Sequence, residues 1–211
     1  MNLIFLGAPG VGKGTQSRFV SERLKIPAVS TGDIIRNIIK SGGIGAENLL
    51  NYINKGSLLP DEIVIKMVED RVNLQDCKKG FLLDGFPRTI VQAKKLEEMK
   101  LNIDKVIEIK SDENIIYNRM MGRCICSGCG AVFNNLSEMR PKIDGICDIC
   151  RSDLIRRTDD TKEIMSERLK AYDEQVTPLR EHYMSVGKLF SVNGDGPFNE
   201  TFKNILKILE I

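Results

Sequence analysis

The stretch Gly7-Ala8-Pro9-Gly10-Val11-Gly12-Lys13-Gly14-Thr15 fits the pattern G-x-x-x-x-G-K. An apolar run over residues 3–6 precedes it, and the spacing of apolar side chains predicts a helix over residues 15–25. A strand, a glycine-rich turn and a helix in that order are the context in which this motif binds phosphate. The glycines let backbone N–H groups wrap a polyphosphate, and the helix dipole favours its negative charge. We therefore predict a phosphate-binding loop, with Lys13 as the cation for the outer phosphates.

Predicted strands and helices alternate along the rest of the chain. Further apolar stretches that predict strands are residues 28–29, 81–83, 106–109 and 189–192. This alternation indicates an α/β fold with a doubly wound parallel sheet, covered by helices on both faces. A helix predicted from Thr161 meets Pro178, and the last helix covers residues 198–209. Residues 124–158 are punctuated by cysteines and lack a helical period, so we interpret them as an insertion into the core.

Composition and charge narrow the class of protein. The chain has 211 residues, 42% of them hydrophobic and 28% charged, which is typical of one globular domain. A net charge of +2 gives no basic field for nucleic acid or an anionic membrane. The N-terminus lacks the basic region of a signal peptide, and no apolar run reaches the length of a membrane span. We therefore expect a cytoplasmic protein that binds neither nucleic acid nor membrane.

Four of the six cysteines form two Cys-x-x-Cys pairs, a spacing typical of zinc sites. Four thiolates fill the tetrahedral shell of Zn²⁺ and leave no open position, which indicates a structural metal. An iron–sulfur cluster is the alternative occupant, whereas two disulfides are disfavoured in a cytosolic chain. Cys77 and Cys124 are interpreted as non-ligands, although Cys124 lies two residues from the first pair. The predicted ligands are Cys126, Cys129, Cys147 and Cys150.

The loop sequence has the form found in adenylate kinases. Further motifs of that family follow it in order: Ser30-Thr31-Gly32-Asp33, Asp84-Gly85-Phe86-Pro87-Arg88, Gly122-Arg123 and Arg157-Thr158-Asp159-Asp160. Over essentially its whole length the chain resembles adenylate kinases of the long-lid bacterial type with a four-cysteine zinc-binding lid. The resemblance implies one P-loop kinase domain over residues 1–211 with two mobile insertions. These are a segment that binds the nucleoside monophosphate (NMP), residues 30–59, and a zinc-binding lid, residues 123–159.

The resemblance also implies an activity and a site. The reaction is transfer of the terminal phosphoryl group of ATP to AMP, giving two ADP, by a monomer that uses Mg²⁺ with ATP. The ATP side would comprise Gly10, Val11, Gly12, Lys13, Gly14, Thr15, Arg119, Arg123, Val132, Phe133 and Gly196. The AMP side would comprise Thr31, Arg36, Ser57, Leu58, Leu59, Gly85, Phe86, Pro87, Arg88, Gln92, Arg157 and Arg168, with Gln92 at the adenine edge. The catalytic groups would be Lys13, Asp84, Arg88, Arg123, Arg157 and Arg168.

The chemistry of these residues agrees with the resemblance. Phosphoryl transfer needs positioning and neutralisation of charge, which arginine provides with a planar, permanently charged fork. An AMP phosphate is mostly ionised at pH 7, so no general base is required. The only histidine, His182, lies in a polar helical stretch and is interpreted as a surface residue. Asp84 follows an apolar strand and is placed to hold Mg²⁺ through water.

One position departs from the strict phosphate-loop pattern, another departs from many family relatives, and three alternatives remain. Gly14 stands where the strict loop has Ser or Thr, with Thr15 next, and Cys124 stands where many relatives have a second arginine. One alternative is a kinase for UMP, CMP or GMP. A second is a zinc-ribbon NTPase that binds nucleic acid, although acidic residues interleave with the basic ones in the cysteine segment. A third is a pseudo-enzyme that only binds nucleotide.

Overall fold

A parallel sheet of five strands forms the centre of the molecule, as the computed structural model of residues 1–211 shows. Its strand order is β2-β3-β1-β4-β8, and all four pairings are parallel. The strands are β1 (Asn2–Leu6), β2 (Ala28–Ser30), β3 (Phe81–Asp84), β4 (Lys105–Lys110) and β8 (Leu189–Asn193). The central strands β1 and β3 are apolar and buried on both faces, as strands of a helix-covered parallel sheet must be. This confirms the predicted α/β fold.

Eight helices surround the sheet. They are α1 (Lys13–Leu24), α2 (Thr31–Lys40), α3 (Ala46–Lys55), α4 (Asp61–Val72), α5 (Ile90–Glu98), α6 (Glu113–Gly122), α7 (Lys162–Ser185) and α8 (Phe198–Leu209). Side-chain oxygens of Ser30, Thr89, Asp112 and Thr161 accept hydrogen bonds from backbone N–H groups in the first turns of α2, α5, α6 and α7. These caps fix where four of the helices begin. None of the helices is both long and apolar enough to cross a bilayer.

Two apolar cores lie on opposite faces of the sheet. Successive side chains of β1 alternate between them, so that Ile4 and Leu6 join one core and Leu3 and Phe5 the other. The first core includes side chains of α4, α5 and α7, and the second includes those of α1, α6 and α8. The sheet is thereby held rigidly from both sides, and its carboxyl edge presents the loops that carry the predicted site.

The cysteine segment folds into a small antiparallel sheet. Its strand order is β6-β5-β7, with β5 at Arg123–Cys126, β6 at Val132–Asn134 and β7 at Leu154–Ile155. Only five side chains are buried in its own cluster, namely Cys124, Cys126, Ala131, Phe133 and Cys147. So small a core is weak by itself, which is consistent with a segment that relies on a metal for its stability.

The sequence predicted where α7 begins, but it left the course of the helix beyond Pro178 open and misplaced His182. The helix does not stop at Pro178 but continues to Ser185, because a proline removes only one backbone donor and packing of Leu179 and Tyr183 holds the following turns. His182 is not a surface residue, since its side chain is only 17% exposed and its Nε2 lies 3.1 Å from Glu97 Oε1 on α5. The histidine therefore lies at the contact between α5 and α7.

Candidate active site and metal centre

The phosphate-binding loop connects β1 to α1, and its shape requires glycine. Gly7 has a φ of +142°, and a Cβ there would lie 2.5 Å from the carbonyl oxygen of Ile109. Gly10 has a φ of +84°, and a Cβ there would lie 2.8 Å from Cγ of Met120. Any larger residue would push the loop away from β4 and α6. The predicted strand, glycine-rich turn and helix are therefore confirmed.

Lys13 is the first residue of α1, and its ammonium group turns back over the loop. Its Nζ donates hydrogen bonds to the carbonyl oxygens of Gly7 at 2.6 Å and Ala8 at 2.9 Å. Burial in the cleft lowers the pKa of Lys13 to about 8, Asp84 opposes this shift, and neighbouring arginines add to it. Desolvation and the like charges of the arginines therefore destabilise the protonated form of Lys13 in the empty loop.

Asp84 ends β3 beside the start of α1. Burial raises the pKa of this carboxyl group, and the charge of Lys13 acts in the opposite direction. A Cβ at Gly14 would lie 3.3 Å from Asp84 Oδ2, which is a tight approach. A larger residue at position 14 would therefore require the Asp84 carboxylate to shift by a few tenths of an ångström.

Arginines from several parts of the chain surround this region. Arg36, Arg123, Arg157 and Arg168 line the cleft, and Arg88 lines a small adjoining cavity together with Lys13 and Arg168. Arg88 Nε donates to the carbonyl oxygen of Gly85 at 2.9 Å, directly after β3. The pKa of Arg88 is lowered by burial and by the charge of Arg168. Burial, together with Arg123 and other cations, lowers the pKa of Arg157 to about 10, and its Nε has no hydrogen-bond partner. Such crowding of positive charge is costly unless an anion lies among the arginines.

Two acidic residues orient two of these arginines. Arg123 Nε donates to Asp160 Oδ2 at 2.7 Å, and a second contact joins its Nη2 to Asp160 Oδ1. Arg168 Nη2 donates to Asp159 Oδ2 at 2.6 Å. Asp159 and Asp160 belong to the motif Arg157-Thr158-Asp159-Asp160, but the sequence indicated no separate role for either. The motif itself was the only signal for them.

The structure brings only part of the predicted AMP side together around the cleft and the small cavity beside it. Thr31 Oγ1 donates to the carbonyl oxygen of Gly85 at 3.0 Å, which joins α2 to the loop after β3. Arg36 Nη2 contacts Asp33 Oδ1 at 2.5 Å, an ion pair that the sequence reasoning missed. Of the predicted residues 57–59, Leu58 lines a small cavity next to Arg88. Phe86 is fully buried, and Pro87 lines the same cavity as Leu58; Ser57 and Leu59 do not.

Gln92 is buried behind the cleft, with only 1% of its surface exposed. Its Oε1 accepts from the Arg88 backbone N–H at 2.7 Å, and its Nε2 donates to Asp61 Oδ1 at 2.7 Å. Asp61 also accepts from the Thr89 hydroxyl. In this arrangement Gln92 supports the loop that carries Arg88, and its role at an adenine edge stays a prediction.

Arg119 connects the loop to the opposite end of the cleft. Its Nη1 donates to the carbonyl oxygen of Val11 at 3.2 Å, and its Nη2 to that of Gly196 at 3.0 Å. Val132 and Phe133 line the cleft from the lid side, with most of Phe133 in the core of the lid. The structure thus brings together the residues predicted for the ATP side.

The four predicted metal ligands form one cluster. Their Sγ atoms all lie within 4.8 Å of one another, at 3.2 Å for Cys126 and Cys150 and 3.6 Å for Cys129 and Cys147. Two backbone N–H groups donate to the cluster, that of Cys129 to Cys126 Sγ and that of Ile149 to Cys147 Sγ. These separations suit four thiolates around one ion. The cluster can therefore hold a metal, and Cys77 and Cys124 are not part of it.

Comparison with known proteins decides the family. A family model described as adenylate kinase matches residues 5–188. The chain belongs to the adenylate kinase family. An adenylate kinase of Caldicellulosiruptor bescii is 46% identical over 100% of both chains. One of Clostridium tetani is 45% identical over 99% of this chain and 98% of its own, and one of Ruminiclostridium cellulolyticum is 44% identical over 100% of both. Adenylate kinases are nucleoside monophosphate phosphotransferases, so the expected family and enzyme class are confirmed.

Proposed function

We propose that this chain catalyses the reversible transfer of the terminal phosphoryl group of ATP to AMP, giving two ADP. The observation that carries the proposal is the convergence of Lys13, Asp84 and several arginines on one cleft. Burial and like charge lower the pKa values of Lys13, Arg88 and Arg157 there. A cleft of this kind is stabilised by a polyanion, and full-length relatives of the chain are adenylate kinases. A kinase for UMP, CMP or GMP is the runner-up.

The reaction requires little covalent chemistry from the protein. An oxygen of the AMP phosphate forms a bond to the γ-phosphorus of ATP, and the bond from that phosphorus to the β,γ-bridging oxygen breaks. The electron pair of the broken bond stays on the departing ADP. Because the AMP phosphate is already ionised, no proton has to move first. Lys13 and the arginines neutralise the charge that spreads over the transferring group.

Magnesium fits the acidic corner of this cleft. We assign Asp84 as the residue that holds it through water, since a carboxylate beside the phosphate-binding lysine is the donor this ion prefers. When bound, Mg²⁺ supplies further neutralisation of the phosphate oxygens. The chain's own contribution is the buried carboxylate next to the start of α1, where Gly14 leaves room for it.

The substrate contacts are assigned as the family resemblance implies. For ATP they are residues 10–15, Arg119, Arg123, Val132, Phe133 and Gly196. For AMP they are Thr31, Arg36, residues 57–59, residues 85–88, Gln92, Arg157 and Arg168. The bonds of Arg119 to Val11 and Gly196 support the first set, and the bond of Thr31 to Gly85 supports the second.

The remaining features are proposed on the same basis. Residues 30–59 and 123–159 act as mobile insertions, and the lid metal is structural Zn²⁺. The four thiolates around one point support zinc, since a filled sulfur shell suits that ion and leaves no position for substrate. A monomer in the cytoplasm that binds neither nucleic acid nor membrane completes the proposal.

A coupled assay with AMP, UMP, CMP and GMP in turn tests the substrate. We expect AMP to be phosphorylated with by far the highest kcat/KM, and a clear preference for UMP or CMP would contradict the proposal. Lys13→Met and Arg88→Ala should each lower kcat about 10²- to 10³-fold, because each removes charge that the transition state needs. Matched controls are Lys203→Met and Arg23→Ala, whose exposed side chains make no contact with the cleft. These controls should retain wild-type turnover.

A further inference from the structure

Residues 134–139, the lid turn, form a tightly hydrogen-bonded reversal after β6. The Asn134 N–H group donates a hydrogen bond of 3.0 Å to the carbonyl oxygen of Met139, and this bond closes the reversal. The Leu136 N–H group donates to Asn134 Oδ1 at 2.9 Å, and the Met139 N–H group to Ser137 Oγ at 3.2 Å. Because local bonds fix its backbone, the lid turn holds its side chains in defined directions.

The lid turn is also attached to the end of α6. Asn134 Nδ2 donates to the carbonyl oxygen of Arg119 at 2.8 Å, and the Asn135 N–H group to that of Gly122 at 2.8 Å. Both acceptors are among the last carbonyls of the helix, which have no partner within it. A Cβ at Gly122 would lie 2.8 Å from Leu136 Cγ, so the glycine allows the turn to pack closely.

Glu138, near the tip of the lid turn, reaches a different element. Its Oε1 accepts a hydrogen bond of 2.5 Å from the N–H group of Phe198, the first residue of α8. The residue before that helix is Pro197, which offers no side-chain cap. The first N–H groups of a helix lack partners within it, and the dipole there favours a carboxylate. Glu138 therefore caps α8 from another part of the chain.

This contact lies at the end of the cleft that Arg119 lines, and the family resemblance implies that the adenine of ATP lies against Arg119. Glu138 and Phe198 both line the cleft. Arg119 and Gly196 line it as well, and a hydrogen bond joins these two residues to each other. Resting on the proposed function for this assignment, we propose that Glu138 is a positioning residue for ATP. It fastens the lid turn to the start of α8 and thereby completes the wall around the nucleobase.

The charge around the contact explains why a carboxylate is used. Arg119 is the cation nearest the base end, and the charges of Asp195 and Glu138 act on it in the same direction, against the effect of its burial. The carboxylate of Glu138 thus serves the Phe198 N–H group directly and Arg119 at longer range. A glutamine at position 138 keeps the acceptor oxygen but loses the charge.

The test compares Glu138→Ala and Glu138→Gln with wild type by calorimetric titration of ATP and by steady-state kinetics. Glu138→Ala should weaken ATP binding and raise the KM for ATP about two- to fivefold, with the KM for AMP and kcat unchanged. The ATP affinity and the KM for ATP of Glu138→Gln should lie between those of wild type and Glu138→Ala. Binding of tripolyphosphate, which lacks the nucleoside, should be the same in all three proteins. The matched control is Asp144→Ala, because Asp144 is an exposed lid acid that does not line the cleft.

Unchanged affinity for ATP in Glu138→Ala would overturn the proposal. An equal loss for ATP and tripolyphosphate would also overturn it, because that result indicates a general disturbance of the lid. Metal content and melting temperature show whether the variants fold. If Glu138→Ala does not fold, the ATP affinity of Glu138→Gln, which is the smaller change, decides the test. Failure of the wild type to phosphorylate AMP would contradict the proposed function alone, since ATP binding without AMP still measures this contact.

Discussion

The state of ionisation of Lys13 should control how tightly the enzyme binds polyphosphate. Burial and neighbouring arginines lower the pKa of Lys13 to about 8 in the free cleft. A bound polyphosphate favours the charged ammonium and raises this pKa again. Affinity is therefore full below pH 7, where Lys13 is mostly protonated, and falls as the pH rises through 8. Only about a tenth of the free enzyme carries the proton at pH 9, so binding should weaken about tenfold between pH 7 and pH 9.

Calorimetric titration of ATP at pH 7, 8 and 9, in buffers of different ionisation enthalpy, measures both the affinity and the protons taken up. We expect uptake of about half a proton per ATP at pH 8. The phosphates of ATP do not account for it, because their last pKa is near 6. Lys13→Arg is the matched variant, since its guanidinium stays charged throughout and should show neither the uptake nor the loss of affinity. Constant affinity in wild type, or the same proton uptake in Lys13→Arg, would refute the reasoning.

Two further predictions concern the lid. Chelation of the metal or Cys129→Ser should clearly lower the melting temperature, because the lid cluster buries only five side chains. At temperatures well below the new melting point, turnover should fall far less than it does in Lys13→Met. If the metal-free protein kept its melting temperature but lost all turnover, the metal would be catalytic and the prediction wrong. A bisubstrate analogue should bring dyes on the lid and on α3 closer together, as measured by energy transfer. Equal transfer with and without the analogue would contradict a moving lid, and a dye pair within α8 and β8 serves as the control.

Local sequence signals predicted most of the elements of the fold correctly. The strand, glycine turn and helix at the phosphate loop can be predicted from residues close together in the sequence. The cap of α2 is equally local, because Ser30 Oγ accepts a hydrogen bond from the Asp33 N–H group three residues later. The cysteine spacing likewise predicted a cluster that the structure forms. The full length of α7 was harder to predict from the sequence, because the continuation of the helix past Pro178 depends on the packing of later residues and not on the proline itself.

Chemistry carried by contiguous residues could be predicted from the sequence alone. This holds for the phosphate loop, the cysteine pairs and the motifs that identify the family. The pairings between distant residues became apparent only in the folded chain. Arg180 of α7 contacts the fully buried Glu108 of β4, Asp61 holds Gln92, and Glu138 caps α8 at Phe198. Each joins two surfaces that meet only when helices dock on the sheet or the lid turn packs on α6. The physical reason is that a single carboxylate or amide carries no local pattern; burial and a hydrogen-bonding partner give it a role, and both are properties of the folded chain.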